Sequence, residues 1–349
     1  MSADALSKAR MARLCRQAAS DMALDLSGVR VLTEAATGPF AATAAIAALA
    51  GAEVVAVARG SRWGRASEAF AATRGIAEGL GCEGAITFSE RPPAEAAKGC
   101  DLVTNLGFVR PIDAALVARL SRFAAVSLMW EPWEFREGDI DRAALAAADV
   151  PLIATNETHP AVRTFAYLGP TIGRLLLDEG IEIVGSRILL VGSDPFGEAV
   201  ANWLADAGAL VARAELVEWA VRVKENADID ALVIVEHRDH RDLLDVAGAA
   251  DSLAMLAALG APVVRLCGVL DRQAVEAAGG RVAPAIDVPA GVMSLTTAHA
   301  GPRPVIDLHA AGLKAGGLVV AARREGASLR EAIAAAVASG FGLAMEGAP

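Results

Sequence analysis

Short β-branched runs alternate along the chain with alanine-rich stretches of helical period, and they do so twice in the same order. The segment "GVRVLTEAATGPFAATAAIAALAGAEVVAVARG", from Gly28, can be laid over "GSRILLVGSDPFGEAVANWLADAGALVARAE", from Gly185. Each copy reads as a strand, a turn containing Gly, Pro or Phe, an apolar-faced helix, then Gly-Ala and a second strand. Such a repeat is a β-α-β unit, and units of this kind in series build a parallel sheet. Further apolar runs extend the first copy ("AITFS", "DLVTNL", "VSLMW", "PLIAT") and the second ("ALVIVEH", "PVVRLCG").

Between the copies, "PAVRTFAYLGPTIGRLLLDEG" predicts a long helix ending at Gly180. From Pro304 the tail is helical twice over, with no strand left to add. The expected fold class is α/β: two Rossmann-like, doubly wound parallel-sheet domains with an interdomain cleft, and C-terminal helices returning to that cleft or to the first domain. The expected boundaries are a substrate domain at 1–160, a nucleotide-binding domain at 161–303, and helices 304–349 packing back. Ligands of such folds sit beyond the carboxyl ends of the strands. Polar residues at those ends are therefore candidates: Asn105 and Arg110 in "TNLGFVRP", Glu131 and Trp133 in "MWEPWEF", and Asn156, Glu157 and His159 in "TNETHP". Each also suits a turn or a helix cap. On the tail, His309 and Lys314 can face the same pocket or stabilise an interdomain contact.

Composition narrows the class. The chain has 349 residues, 54% of them hydrophobic and 21% charged, which is globular rather than disordered. A net charge of −10 without a basic stripe argues against nucleic acid as partner. Apolar stretches are broken by charge or glycine before the roughly 18 residues that span a bilayer, so no membrane partner is expected. The opening "MSADALSKARMARLCRQAASDMALDLSG" reads as an amphipathic helix and lacks a signal peptide's apolar core. Cys15, Cys82, Cys100 and Cys267 form no CxxC pair, which points to a reduced cytoplasm. The five histidines make no HxxxH or HExxH pair, so no metal is expected; Glu236, His237 and His240 are the one grouping of ligand type. A small-molecule substrate and a homodimer suit an apolar two-domain chain.

The turn of the second copy, Gly192-Ser193-Asp194-Pro195-Phe196-Gly197, carries the candidate chemistry. A dinucleotide turn uses one glycine for the tight bend, a second for backbone approach to the pyrophosphate and a third for helix–strand packing. Gly192 and Gly197 fill the first and third places, and Asp194 fills the second. A carboxylate there opposes a phosphate in the field of the helix N-terminus, and it equally suits an N-cap with Pro195 at the first helical position. Glu215, 18 residues after Gly197, stands where an acid accepts hydrogen bonds from the adenosine ribose of NAD, and it would repel the 2′-phosphate of NADP. The first copy carries Arg59, Arg62 and Arg65 in the corresponding region, which suits an anionic substrate or a solvated basic loop.

The order of motifs over roughly residues 100–310 resembles the NAD-dependent D-isomer 2-hydroxyacid dehydrogenases, and more loosely the formate/glycerate dehydrogenase-like group. "GDIDRAALAAADVPLIATNETHPAVRTFAYLGPTIGRLLL" is similar to that family's Ile-Asp pair, helix, strand and interdomain helix. "GAPVVRLCGVLDRQAVEAAGGRVAPAIDV" is similar to its Arg-Gly segment running through a helix to a Leu-Asp-Val strand, and "LTTAHAGP" to its Thr-Pro-His-x-Ala-Gly turn. The resemblance implies that Arg265 grips a substrate carboxylate and that His299 is the general acid/base; Glu157 and His159, from their place after a predicted strand, are further catalytic candidates. The sequence departs from the pattern in three places: "DVPAGVMSL" lacks the Glu that pairs with the His, Asp194 replaces the middle glycine, and the first half carries a clear "TGPF" turn and "ARGSRWGR" segment that the family does not usually show.

Three readings follow. The first is an NAD(H)-dependent oxidoreductase acting on a small carboxylate-bearing substrate. The second is a group-transfer enzyme, such as a methyltransferase, binding S-adenosylmethionine, whose sulfonium tolerates a carboxylate at position 194 while Glu215 still takes the ribose. The third is a ligand-binding protein without catalysis.

Overall fold

A computed structural model of the chain describes residues 3–61, 64–226 and 228–345; Arg62 of the basic segment lies outside them. In chain order the strands are β1 (Arg30–Glu34), β2 (Glu53–Val57), β3 (Ile86–Ser89), β4 (Leu102–Thr104), β5 (Ala125–Ser127), β6 (Leu152–Thr155), β7 (Arg187–Val191), β8 (Leu210–Ala214), β9 (Ala231–Val235), β10 (Val263–Cys267), β11 (Val282–Ala283) and β12 (Gly342–Ala344). They form two sheets, and the chain divides into two compact units: Met1–Thr164 with Gly301–Pro349, and Phe165–Ala300. The sequence pattern suggests breaks at 160/161 and 303/304. The first crossing instead falls where a 3₁₀ turn, Thr164–Tyr167, begins.

Unit 1 has a seven-stranded sheet in the order β12-β6-β5-β4-β1-β2-β3. Its first six strands are parallel in the doubly wound 3-2-1-4-5-6 order. β1 is buried over its last four residues, the continuous burial that a parallel strand covered on both faces requires. The sequence reading leaves the tail without a strand, but β12 adds antiparallel to β6 at the sheet edge, Leu343 opposite Ala154. Three residues following Gly340, which has φ +81°, are too short a run for periodicity to reveal.

The tail helix Arg303–Arg324 is long and apolar enough to cross a membrane by length and composition, with mean hydropathy 1.4, yet 72% of that stretch is buried inside the fold. Its small residues explain the fit. A Cβ at Gly312 would meet Met129 and Thr155, one at Gly316 would meet Leu102 and Ser127, and one at Gly317 would meet Leu26. The helix therefore lies close on β4–β6, and Ser127 donates to the Gly312 carbonyl at 2.8 Å. The amphipathic opening helix, Ala3–Asp21, buries Met11, Leu14, Cys15 and Ala18 in the same core.

Unit 2 has a five-stranded parallel sheet in the order β11-β10-β9-β7-β8. The helix predicted from Pro160 starts only at Leu168 and runs to Asp178, since Pro170 fits only the first turn of a helix. The edge strand is Val282–Ala283 and not the Ile286-Asp287-Val288 run that the resemblance suggests.

Candidate functional site

In unit 2 the crossover direction reverses between β7 and β9, and ligands of doubly wound sheets bind at such a switch point. The Gly192–Gly197 turn leaves β7 there and feeds the helix Phe196–Asp206. Both glycines are required by packing. A Cβ on Gly192 would lie 2.8 Å from the Val235 carbonyl, and one on Gly197 would strike the Gly192 carbonyl and stand 2.7 Å from Arg213. Asp194 caps the helix, one position earlier than expected. Pro195 occupies the cap position, while the Asp194 carboxylate reaches forward to accept the Glu198 N–H at 2.9 Å. Arg213 from β8 pairs with the same oxygen at 2.6 Å. Val191 and Ala214 are register partners, so Gly192 and Glu215 leave neighbouring strands side by side, and Glu215 is exposed.

Across the switch point, Ser193 donates to Glu236 Oε1 at 2.7 Å and lies 3.3 Å from His237 Nδ1. The same Glu236 oxygen accepts the backbone N–H groups of Arg238 and Asp239, at 2.8 and 2.9 Å. His237 stacks on Phe196 with centroids 4.4 Å apart, and burial pushes its imidazole down to about 4. Glu236 and His237 are thus structural partners of the turn. Among the described residues no three ligand-type side chains are gathered to hold a metal.

The residues assigned by resemblance fare differently. Arg265 is a correction: it is fully buried in β10, donating to the Leu270 carbonyl at 3.0 Å and the Ile286 carbonyl at 2.6 Å. Its guanidinium ties two loops together instead of being offered to a carboxylate. His299 is exposed on a 3₁₀ turn, Thr297–Ala300, and its carbonyl accepts from Arg174 at 2.9 Å. Among the described residues no carboxylate lies within ion-pair distance of its ring.

Unit 1 has its own switch point, between β1 and β4. Glu34 ends β1, is 7% exposed, and accepts the Phe108 N–H at 3.0 Å. Burial pushes its carboxyl up to about 6, against the pull of that N–H and of Arg110. Arg110 pairs with Asp139 and lies 5.7 Å from the Trp130 ring centroid. Asn105, buried, accepts the Met129 N–H at 2.9 Å. These side chains knit together the loops after β1, β4 and β5.

At the ends of β5 and β6, Glu157 is buried beside Glu131 and Glu134. Burial first, then repulsion from those two carboxylates, holds its own carboxyl well above the ordinary range. Asn156 and His159 do not join it, which corrects their assignment. Asn156 donates to the Gly340 carbonyl at 2.7 Å and His159 stacks on Phe341 at 4.0 Å, so both secure the tail strand β12. His309 is likewise a core residue: its Nδ1 lies 2.6 Å from the Thr43 hydroxyl, and burial pushes it down to about 3, leaving a neutral ring. Lys314 donates to the Ala23 carbonyl at 2.8 Å.

Sequence reasoning overlooks Glu34, Glu134 and Arg213, and weighs Glu236 and His237 only as metal ligands. One signal is available for Glu34 and Glu236, since both sit at or just after the end of a strand bordering a switch point.

No family model matches the chain, and no curated protein matches it in sequence. Solved structures share its fold. A dipicolinate synthase polypeptide from Bacillus halodurans is 12% identical with a TM-score of 0.54, covering 82% of this chain and 96% of that one. A dipicolinate synthase polypeptide from Bacillus subtilis is also 12% identical, with a TM-score of 0.55 and coverage of 86% and 99%. The pyruvate reductase of Chlamydomonas reinhardtii is 12% identical, with a TM-score of 0.52 and coverage of 85% and 97%. At this identity the likeness is one of fold.

Proposed function

We propose that the protein is an oxidoreductase that passes hydride between NAD(H) and a small carboxylate-bearing substrate, with unit 2 as its nucleotide-binding unit. The observation that carries this reading is the register of β7 and β8. It sets the Gly192 turn beside an exposed Glu215 at a switch point, the frame in which an acid takes the adenosine ribose. The fold shared with a pyruvate reductase supports it.

The cofactor's fit turns on Asp194, whose carboxylate now occupies a helix N-terminal donor that a pyrophosphate would use. Asp194 and Arg213 are exposed, with side chains 56% and 39% accessible, and such surface pairs contribute only about 0–1 kcal/mol. A side-chain rotation therefore frees both the donor and Arg213. Gly192, Ser193, Phe196 and Gly197 would then line the pyrophosphate and Glu215 would hold the ribose; the bound nicotinamide would supply or accept the hydride. His299 is the proposed general acid/base, its exposed imidazole open to a substrate and to solvent. With Arg265 engaged internally, the substrate carboxylate requires another cation.

The test is calorimetric titration with NADH, NADPH and S-adenosylmethionine. Micromolar NADH binding, at least tenfold weaker in Glu215→Ala, is expected, with NADPH weaker still. In turnover assays His299→Ala should lower kcat by about a hundredfold or more, the usual contribution of a positioned acid/base. One observation favours the second reading, an S-adenosylmethionine-dependent transferase: the loop already holds its own anion in Asp194. Binding of S-adenosylmethionine without NADH would replace the first reading with that one.

A further inference from the structure

The parallel strands β5 and β6 are neighbours, with Ser127 opposite Ile153, and the segments that follow them meet: Thr155 N–H donates to the Trp130 carbonyl at 3.1 Å. At this end of the sheet Glu134, on the 3₁₀ turn Pro132–Glu134, lies near enough to act on Glu157, which follows β6 by two residues. Glu157 is 8% exposed and Thr164 is 5% exposed. Burial raises both carboxyls, and each is raised further by carboxylate neighbours. The charged and polar groups facing this place are Glu131, Glu134 and Arg136 from the segment after β5, and Glu157 and Thr164 from the segment after β6.

Two features set the place apart from an ordinary acidic surface. Among the described residues neither Glu134 nor Glu157 has a basic group within ion-pair distance, although Arg136 lies near enough to act on Glu134. The Thr164 hydroxyl, buried and facing the Glu157 carboxylate, closes no hydrogen bond of good geometry with it or with any other described group. A buried hydroxyl without a partner and a buried carboxylate, Glu157, without a paired cation are both costly unless something else completes them. Among the described residues no ligand cluster of the kind a metal needs is present. An ammonium group, with three donors and a positive charge, complements two carboxylates and a hydroxyl.

We propose that the carboxyl ends of β5 and β6 form a binding site for a primary ammonium group, with Glu157, Glu134 and Thr164 as its acceptors. The ligand class is therefore an organic amine. The inference concerns unit 1 alone and does not depend on the redox reading of unit 2, so either can fail without the other.

The experiment titrates the full chain, without nucleotide, with ethylammonium chloride, tetramethylammonium chloride and potassium chloride at matched ionic strength. Thermal shift and calorimetry are read in two buffers of different ionisation enthalpy. The expected result is a rise in Tm with ethylammonium only, weakened at least fivefold in Glu157→Gln and in Glu134→Gln. Binding should tighten from pH 6 to pH 8, and its heat should depend on the buffer, because the cation displaces a proton shared among the carboxyls. Thr164→Val should weaken binding less. Equal shifts with ethylammonium and potassium would overturn the proposal, as would equal binding of tetramethylammonium, which has no N–H to donate. Unchanged ethylammonium affinity in a folded Glu157→Gln would do the same. Should that variant not fold, Glu134→Gln and the buffer dependence of the unaltered chain decide.

Discussion

The two strand–turn–helix copies are built on one spacing but differ in charge at both of their decisive positions. Gly38 precedes Arg59 by 21 residues, and Asp194 precedes Glu215 by the same 21. In unit 1 the middle of the turn is a glycine at φ +60° with no atom within 4 Å of an added Cβ, and the next strand is followed by an arginine. In unit 2 the same places hold an aspartate that caps its own helix and an exposed glutamate. The tight packing differs too, since Gly192 is hemmed in by Val235, and Gly197 by the Gly192 carbonyl and Arg213. A shared β-α-β frame thus fixes where a ligand can lie, while single residues at its turn and at the next strand's end set the charge it meets.

The comparison breaks most visibly at the glycines. Gly192→Ala should destabilise the protein by about 3 kcal/mol, because the Val235 backbone cannot yield, whereas Gly38→Ala should cost only about 1 kcal/mol for its left-handed backbone. Denaturant unfolding measures both, and equal losses would mean the turns are not packed differently.

Acid and base should separate the two switch points next. The imidazole of His237 binds its proton near pH 4 when folded but near 6.5 when unfolded, so its site loses stability as pH falls through that window. Glu34 binds its proton near pH 6 when folded against 4.5 when unfolded, so its site loses stability as pH rises from about 4.5 to about 6. Subtracting the Tm–pH profiles of His237→Asn and Glu34→Gln from that of the unaltered chain should leave slopes of opposite sign, each amounting to about 1–2 kcal/mol. His309 adds to the acid-side loss and is left in place in both variants.

A smaller effect concerns the ligand. Asp194→Gly restores in unit 2 the glycine that unit 1 already has, and should tighten NADH by about tenfold, near 1.4 kcal/mol, in a binding titration. The least change is expected for Asp194→Asn, which removes an exposed ion pair but keeps an acceptor for Glu198. Its unfolding free energy should move by less than about 1 kcal/mol.

The architecture is legible because burial writes a period into the sequence. Most of the runs that become β1–β10 are apolar and buried, β8 being the exposed exception, and the Gly192 turn is marked by residues suited to its backbone geometry. What escapes lacks such a signal. The three-residue strand β12 is too short to show alternation, and Arg265 reads as a ligand-gripping arginine until the carbonyls of Leu270 and Ile286 are seen to hold it. Asn156 and His159 read as site residues because they follow a strand, yet their partners Gly340 and Phe341 come from the far end of the chain. Glu34 goes unnoticed because a lone acid at a strand end looks solvent-facing until Phe108 folds over it.

The tail helix has a consequence for synthesis. Unit 2 is one uninterrupted stretch, Phe165–Ala300, and can fold as soon as it leaves the ribosome. Unit 1, although it is made first, has strands β4–β6 on which Arg303–Arg324 packs and an edge at β6 that β12 closes. Its first 164 residues therefore emerge with an apolar surface that must wait for some 140 more to be translated, at ~5–20 residues per second. That interval is on the order of ten seconds.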